Sequence, residues 1–281
     1  MKETQALSAM PVRRVVFCTY PGLYSALLLN GLLDMPGIDV VGIIASTRIL
    51  SKRYGYLRGV WHNLRHSGLR YLLFQAYSTD LFHLLQPFSR CKSVTGHARR
   101  HAIPVFKTTD INAAPSVDFI KELDPDIILT GYFNQLVKPL VMSLARLGCL
   151  NVHPSLLPEY KGTDPVFRAM QNDEPEIGIT VHMLAETFDS GPVLARDRVF
   201  LQTGYSVLHY YVLSFRRAAG LVADSIGRLE AGETGETQSG DGSYQGWPTR
   251  VEVQRFHRAG KQLFPALAGY WVLLRSSADI A

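Results

Sequence analysis

Short apolar runs alternate with amphipathic stretches through the first two thirds of the chain. Val15-Val16-Phe17-Cys18, inside a segment from Val12 to Tyr20, reads as a buried first strand. Pro21-Gly22 turns the chain into an apolar helix over Leu23 to Leu33, and Pro36-Gly37 precedes a second buried strand over Ile38 to Ile44. Further on, Ile103 to Phe106 is a short strand, Ser116 to Leu123 a helix, and Asp126 to Thr130 another strand. This alternation predicts an α/β fold, a Rossmann-like, mostly parallel sheet flanked by helices. In such sheets ligands collect at the carboxyl ends of the strands, where Tyr20, Gly131 and His153 all fall. From Gly204 to Leu229, Leu208, Val212, Phe215, Ala219, Val222 and Ile226 recur at helical spacing, and Ala231-Gly232 ends the helix. Glu233 to Gly242 is polar and glycine-rich, a loop. Tyr244 to Thr249 then anchors a basic helix carrying Val253, Phe256 and Leu263. The expected division is a domain over 1–202, with an insertion at about 48–100, followed by the long helix and a short C-terminal appendage over 203–281.

The densest chemistry lies in Leu150-Asn151-Val152-His153-Pro154-Ser155-Leu156-Leu157-Pro158, followed by Gly162 and then by Asp189-Ser190-Gly191. Asn151 and His153 are two residues apart, hence on one face of an extended chain, and the proline-rich loop stops the strand there. Asp189, in a second turn, reaches the same point once the intervening helix folds back. An amide donor, a titratable base and a carboxylate suit acyl transfer through an oxyanion. His182 alternates with Val181 and Met183 in a strand and reads as structural. Asp164-Pro165 reads as the N-cap and first residue of a helix over Val166 to Met170, which makes Asp164 structural as well. No G-x-G-x-x-G follows the first strand, so a dinucleotide fingerprint is absent.

The Asn-x-His-x-Ser-Leu-Leu-Pro segment with its downstream Asp-x-Gly resembles the active site of the formyltransferases that use 10-formyltetrahydrofolate. That family includes glycinamide ribonucleotide transformylase, methionyl-tRNA formyltransferase and the nucleotide-sugar N-formyltransferases. The resemblance runs over roughly residues 12 to 200 and is densest from Ile127 to Leu194. It implies catalytic roles for Asn151, His153 and Asp189, 10-formyltetrahydrofolate as formyl donor, and no metal. Gly131-Tyr132-Phe133-Asn134-Gln135-Leu136 is similar to the family's loop whose backbone cradles the pterin ring, with Phe133 and Leu136 as apolar walls. Lys161 and Gly162, in the loop that closes over the folate, and Phe188 are further candidates for the donor side; Tyr20, Gly22 and Tyr24, in the first loop, are candidates for the acceptor side. The implied activity is N-formylation of a primary amine, with an amino sugar on a nucleotide first among acceptors and a carrier-bound or other biosynthetic amine next. A formyltetrahydrofolate hydrolase, a methionyl-tRNA formyltransferase and a noncatalytic folate-binding protein remain alternatives. The tail is shorter than the barrel-like tRNA-binding domain of the tRNA enzymes and lacks its strand series. Nucleic acid is therefore not an expected partner.

Composition adds three constraints. The start of the chain lacks a basic segment leading into an apolar one, and no uncharged apolar run is long enough to span a bilayer. Export and membrane insertion are not expected, and a cytoplasmic protein is. Cys18, Cys91 and Cys149 are odd in number and unpaired in spacing, which fits reduced thiols, and no cluster has zinc spacing, His97 and His101 included. The overall charge of +5 is uneven: residues 48–107 hold eleven basic residues, Lys52, Arg53, Arg99 and Arg100 among them, against the single acid Asp80. Interleaved with Trp61, Tyr71 and Phe74, they suit nucleotide phosphates, an RNA, an acidic carrier, or less readily a membrane surface; a solvated helix face is the alternative. A homodimer is compatible with all of this.

Overall fold

The computed structural model describes residues 12–48, 56–85, 91–240, 242, 244–267 and 269–270. Lys52, Arg53, Tyr54 and Arg90 of the basic segment lie outside the described residues. In chain order the elements are β1 (Arg13–Thr19), α1 (Leu23–Leu33), β2 (Ile38–Ser46), α2 (Tyr56–Ser67), α3 (Leu69–Ser78), α4 (Asp80–Leu85), α5 (Val94–Arg100), β3 (Val105–Thr108), α6 (Ala114–Leu123) and β4 (Ile127–Gly131). They continue with α7 (Pro139–Met142), β5 (Gly148–His153), β6 (Lys161–Gly162), α8 (Pro165–Gln171), β7 (Glu176–Met183), β8 (Val193–Phe200), α9 (Val207–Glu230), β9 (Tyr244–Gln245) and α10 (Arg250–Arg258).

The main sheet has the strand order β3-β2-β1-β4-β5-β7-β8. Its first five strands are mutually parallel, and β7 and β8 add an antiparallel edge. The mostly parallel sheet flanked by helices is therefore the architecture found. The direction of crossover reverses between β1 and β4, so the carboxyl ends of β1, β4 and β5 open a crevice there. β3 starts two residues later than its apolar run suggests, because Pro104 has no N–H for the ladder and contributes only its carbonyl, to Ile43 N at 2.9 Å.

Two apolar layers cover the sheet. The larger packs α1 and α9 on one face through Phe17, Leu28, Leu129, Val152, Phe215 and Val222. The smaller packs α6 on the other through Val16, Cys18, Ile44, Ile120, Ile128 and Cys149. Side chains alternate along a strand, so Ile128 and Thr130 share the second face, as do Cys149, Asn151 and His153. On that face apolar residues give way to polar ones toward the carboxyl ends of β4 and β5.

The long helix carries all six of its periodic apolar residues into the core. It begins at Val207 rather than Gly204, because Ser206 caps it by accepting from His209 N while His209 Nδ1 accepts from Ser206 N. Residues on both sides of 202 share this one core. Leu263 is buried but lies beyond α10, and the carbonyls of Gln262 and Leu263 accept from Val207 N and Leu208 N, two donors a helix start leaves open. The insertion forms α2 to α5. Its aromatic residues divide: Tyr71, Phe74 and Phe82 are buried in the main core, whereas Trp61 is exposed with the Arg65 guanidinium 5.8 Å from its ring centre.

Phe215 is fully buried and stacks on Tyr24 with ring centres 5.5 Å apart. Phe215→Ala is expected to cost about 3–5 kcal/mol of stability, read as a lower urea midpoint with an unchanged slope.

Candidate active site

Asn151 and His153 occupy the last positions of β5, facing the same way, and the antiparallel register sets His182 of β7 directly opposite Asn151. The connection from β7 to β8 curls back over this corner and delivers Asp189 in the left-handed backbone region, φ +54°. Gly191 makes the return possible: a Cβ there would lie 1.9 Å from Met183 O. Asp189 Oδ1 is 3.3 Å from His153 Nδ1, 3.4 Å from Asn151 Nδ2 and 3.8 Å from His182 Nε2. Its Oδ2 accepts from Gly162 N at 2.9 Å. The structure thus brings Asn151, His153, Asp189 and Gly162 to one point, with His153 and Asp189 buried.

Hydrogen-bond partners fix the orientation of each group. Thr130 Oγ1, one strand over, donates to Asn151 Oδ1 at 2.7 Å, so the amide nitrogen is the end turned toward His182 and Asp189. His182 Nδ1 lies 2.8 Å from Met183 O, which only accepts; Nδ1 therefore carries the proton, and Nε2 accepts from Asn151 Nδ2 at 3.0 Å. Burial holds the His182 pKa well below the usual imidazole range, opposed by Asp189 and reinforced by His153. His153 Nε2 is 3.0 Å from Tyr160 O, so both ring nitrogens of His153 face acceptors.

His182 and Thr130 are the residues sequence reasoning missed. His182 is not merely structural, since it holds the amide of Asn151 from the neighbouring strand. Its signal was the pairing of Gly178–His182 beside β5, which alternation within its own strand does not reveal. Asp164 stands at the N-cap of α8 with Pro165 as its first residue, as expected, but its backbone is left-handed, φ +52°, and its side chain makes no cap bond; the buried carboxylate accepts from Tyr71 and Tyr211 hydroxyls at 2.8 and 2.7 Å. Burial raises its pKa.

The donor-side candidates lie on the loop after β4, in β6 and on the Asp189 turn. Gln135 is buried and Asn134 exposed, and both side chains are hydrogen-bonded within the protein: Ser46 Oγ donates to Asn134 Oδ1, Asn134 Nδ2 donates to Arg48 O, and Gln135 bonds Ser46 and Ile111. Phe133 and Leu136 of that loop are partly buried. Lys161 and Gly162 form β6 beside the cluster, and Phe188 is exposed on the Asp189 turn. On the acceptor side, Tyr20 is partly buried at the end of β1 and Gly22 packs where a Cβ would be 2.9 Å from Ser78 O. Tyr24 is a core residue, stacked on Tyr211 at 4.7 Å between ring centres, and has no surface to offer a substrate. Among the described residues no His, Cys, Asp or Glu cluster has metal-site geometry, and no helix is long and apolar enough to cross a membrane.

A family model described as formyl transferase matches residues 90–212. A methionyl-tRNA formyltransferase of Kosmotoga olearia is 45% identical over 102 residues, 36% of this chain and 33% of that protein. The GDP-perosamine N-formyltransferase of Brucella melitensis is 31% identical over 169 residues, 55% of this chain and 64% of that protein. The matched stretch thus spans a third of the first relative's length and under two thirds of the second's. Among solved structures, WlaRD, a sugar 3N-formyl transferase crystallised in the presence of dTDP and 5-N-formyl-THF, superposes with TM-score 0.51 at 14% identity, over 83% of this chain and 69% of that one. At that identity the likeness is one of fold.

Unfolded His182 takes up a proton below about pH 6.5, whereas the folded imidazole resists it. The unfolded state therefore binds more protons there, and stability falls as pH drops through that window. His182→Leu is expected to cost about 1–3 kcal/mol near neutral pH, by orphaning the Asn151 donor, and to make the loss on acidification shallower. Urea unfolding at two pH values checks both effects.

Proposed function

With residues 90–212 belonging to the formyl transferase family, we propose that this chain moves a formyl group from 10-formyltetrahydrofolate to the primary amine of an amino sugar carried on a nucleotide. The observation that carries the reading is the convergence of Asn151, His153 and Asp189 at the carboxyl end of β5. The set fits the donor: an amide N–H and an imidazole suit a carbonyl whose oxygen gains negative charge, and a loop with occupied side chains leaves peptide groups for a heterocycle's edge. The bound donor supplies an activated formyl carbon. The neutral amine forms the new C–N bond, the bond to the folate nitrogen breaks, and the proton lost by the amine balances the one that nitrogen gains.

In this scheme Asn151 Nδ2 and His153 face the formyl oxygen, the amide exchanging its long 3.4 Å contact with Asp189 Oδ1 for the substrate while it keeps the one with His182, and Asp189 orients His153 and takes part in proton relay. His153 Nε2 is held by Tyr160 O, so that contact is exchanged for substrate when Glu159–Tyr160 shifts. The amino-sugar acceptor is supported by the Brucella relative and by the position of α2. That helix lies beside the C-terminal segment, with His66 Nε2 3.1 Å from Trp247 O and Gly68 against Arg250. Arg58, Trp61 and Arg65 on this helix are exposed to solvent. Arg99 and Arg100 end α5, which packs on α1 near Asp34, at the other end of the sheet. The tRNA reading is favoured by the 45% identical stretch, and formylation assays with nucleotide sugars and with methionyl-tRNA separate the two; formate release without amine marks the hydrolase.

His153→Ala and Asp189→Asn should each lower turnover by ~10²-fold or more, with little further loss in the double variant, because the two act as a unit. Multiplicative losses would separate them. Asn151→Ala should cost ~3 kcal/mol in transition-state stabilisation, read from kcat/KM. Replacing Arg58 and Arg65 with glutamine should raise the acceptor KM and flatten its salt dependence, while the same change at Arg99 and Arg100 should leave both alone. Equal salt responses of both pairs would return the basic segment to a solvated face.

A further inference from the structure

The polar loop after α9 is part of the site. Leaving the helix at Gly232, the chain pairs Glu236 with Val193 through two backbone bonds of 2.7 and 2.8 Å, beside the turn that carries Asp189. Gln238 Nε2 then donates to Asp189 O at 3.0 Å and to Gly191 O at 2.7 Å. Gly242 passes so close to the catalytic loop that a Cβ would lie 2.0 Å from Pro158 O. Tyr244 and Gln245 pair with Lys161 and Gly162, and Gln245 O accepts from Thr163 N at 2.8 Å. One segment thus holds both ends of a single hydrogen bond, Gly162 N to Asp189 Oδ2: it fixes the donor through β9 and the acceptor through Gln238.

We propose that Gln238 is a positioning residue for Asp189, clamping the two carbonyls of its turn so that Oδ1 points at His153 and Asn151. This rests on the formyl-transfer reading given above. The backbone of Asp189 is left-handed, a conformation a non-glycine residue keeps only when its surroundings impose it. A primary amide has two N–H donors on one nitrogen, and Gln238 spends both on the turn. Among the described residues its Oε1 has no partner, so the bonds the side chain makes there all go to this turn.

The test compares Gln238→Ala and Gln238→Glu with wild type in kcat, KM, melting temperature and amide hydrogen exchange at Gly162. Gln238→Ala should lower kcat by at least ~10-fold, since a displacement of about an ångström at a reacting group has effects of this order or more. KM should stay near wild type, the melting temperature should fall by a few degrees because two carbonyls lose their donor, and exchange at Gly162 should accelerate while the β4 and β5 amides remain protected. Gln238→Glu should match the alanine variant at neutral pH, where a carboxylate cannot donate, and regain activity relative to it on acidification, when one O–H donor returns. Wild-type kcat and exchange in Gln238→Ala would overturn the proposal, as would a kcat loss accompanied by accelerated exchange throughout β4 and β5. If wild type formylates no amine, the functional reading fails, and exchange at Gly162 still decides whether Gln238 holds Asp189.

Discussion

A buried carboxylate must be surrounded by donors, and the arrangement of this corner follows from that requirement at Asp189. Three strands and the C-terminal segment each send a group to it, to its turn or to its partner: Asn151 and His153 from β5, Gly162 from β6, His182 from β7, which holds the Asn151 amide, and Gln238 from beyond α9. In sequence these groups span residues 151 to 238. The parallel sheet supplies the common point, because it ends β1, β4 and β5 at one edge, and the antiparallel β7 brings His182 into register there. Gly162 and Gly191 let backbone come close where a side chain would collide with Gln245 O or Met183 O.

Asp164 shows the same problem solved differently on the opposite face of the sheet. It is as buried as Asp189, but its partners are two phenols from α3 and α9, neutral donors that leave desolvation the dominant influence and its pKa raised. Tyr71 belongs to the insertion, so α3 is bonded to a residue two positions from Gly162. Hydrogen bonding thus connects the basic, aromatic insertion to the loop that covers His153, and Arg168 extends the connection through its ion pair with Glu252 of α10.

Much of this was legible in the residues themselves. Apolar runs located β1, β2 and β4, the helical period located α9, and the i, i+2 spacing of Asn151 and His153 put them on one face. The strand order places Asp189 beside them as the motif required. What remained hidden depends on register and on long-range pairing. His182 reads as an ordinary strand residue until its position opposite Asn151 is known, Asp164 is legible as the residue that precedes a helix but its bonds to Tyr71 and Tyr211 are not, and the polar stretch 233–242 reads as a connecting loop because Glu236 and Gln238 pair with residues more than forty positions away. Periodicity cannot report an interaction whose partners share no period.

The cover over His153 bears on how such a site works. Tyr160 O occupies Nε2 and Asp189 occupies the region of Nδ1, so the imidazole is fully partnered and buried before any substrate arrives. An imidazole aimed by two acceptors has little freedom to turn, which lowers the reorganisation needed when charge develops nearby. Releasing Nε2 requires only that the loop carrying Tyr160 shift, because Asp189 is held independently by Gly162 N and, through its turn, by Gln238. Gly162 follows that loop and is held: its N–H is bonded to the Asp189 carboxylate and its strand pairing ties it to β9. On the formyl-transfer reading, the segment that has to shift is therefore Glu159–Tyr160, between Pro158, against which Gly242 packs, and Gly162.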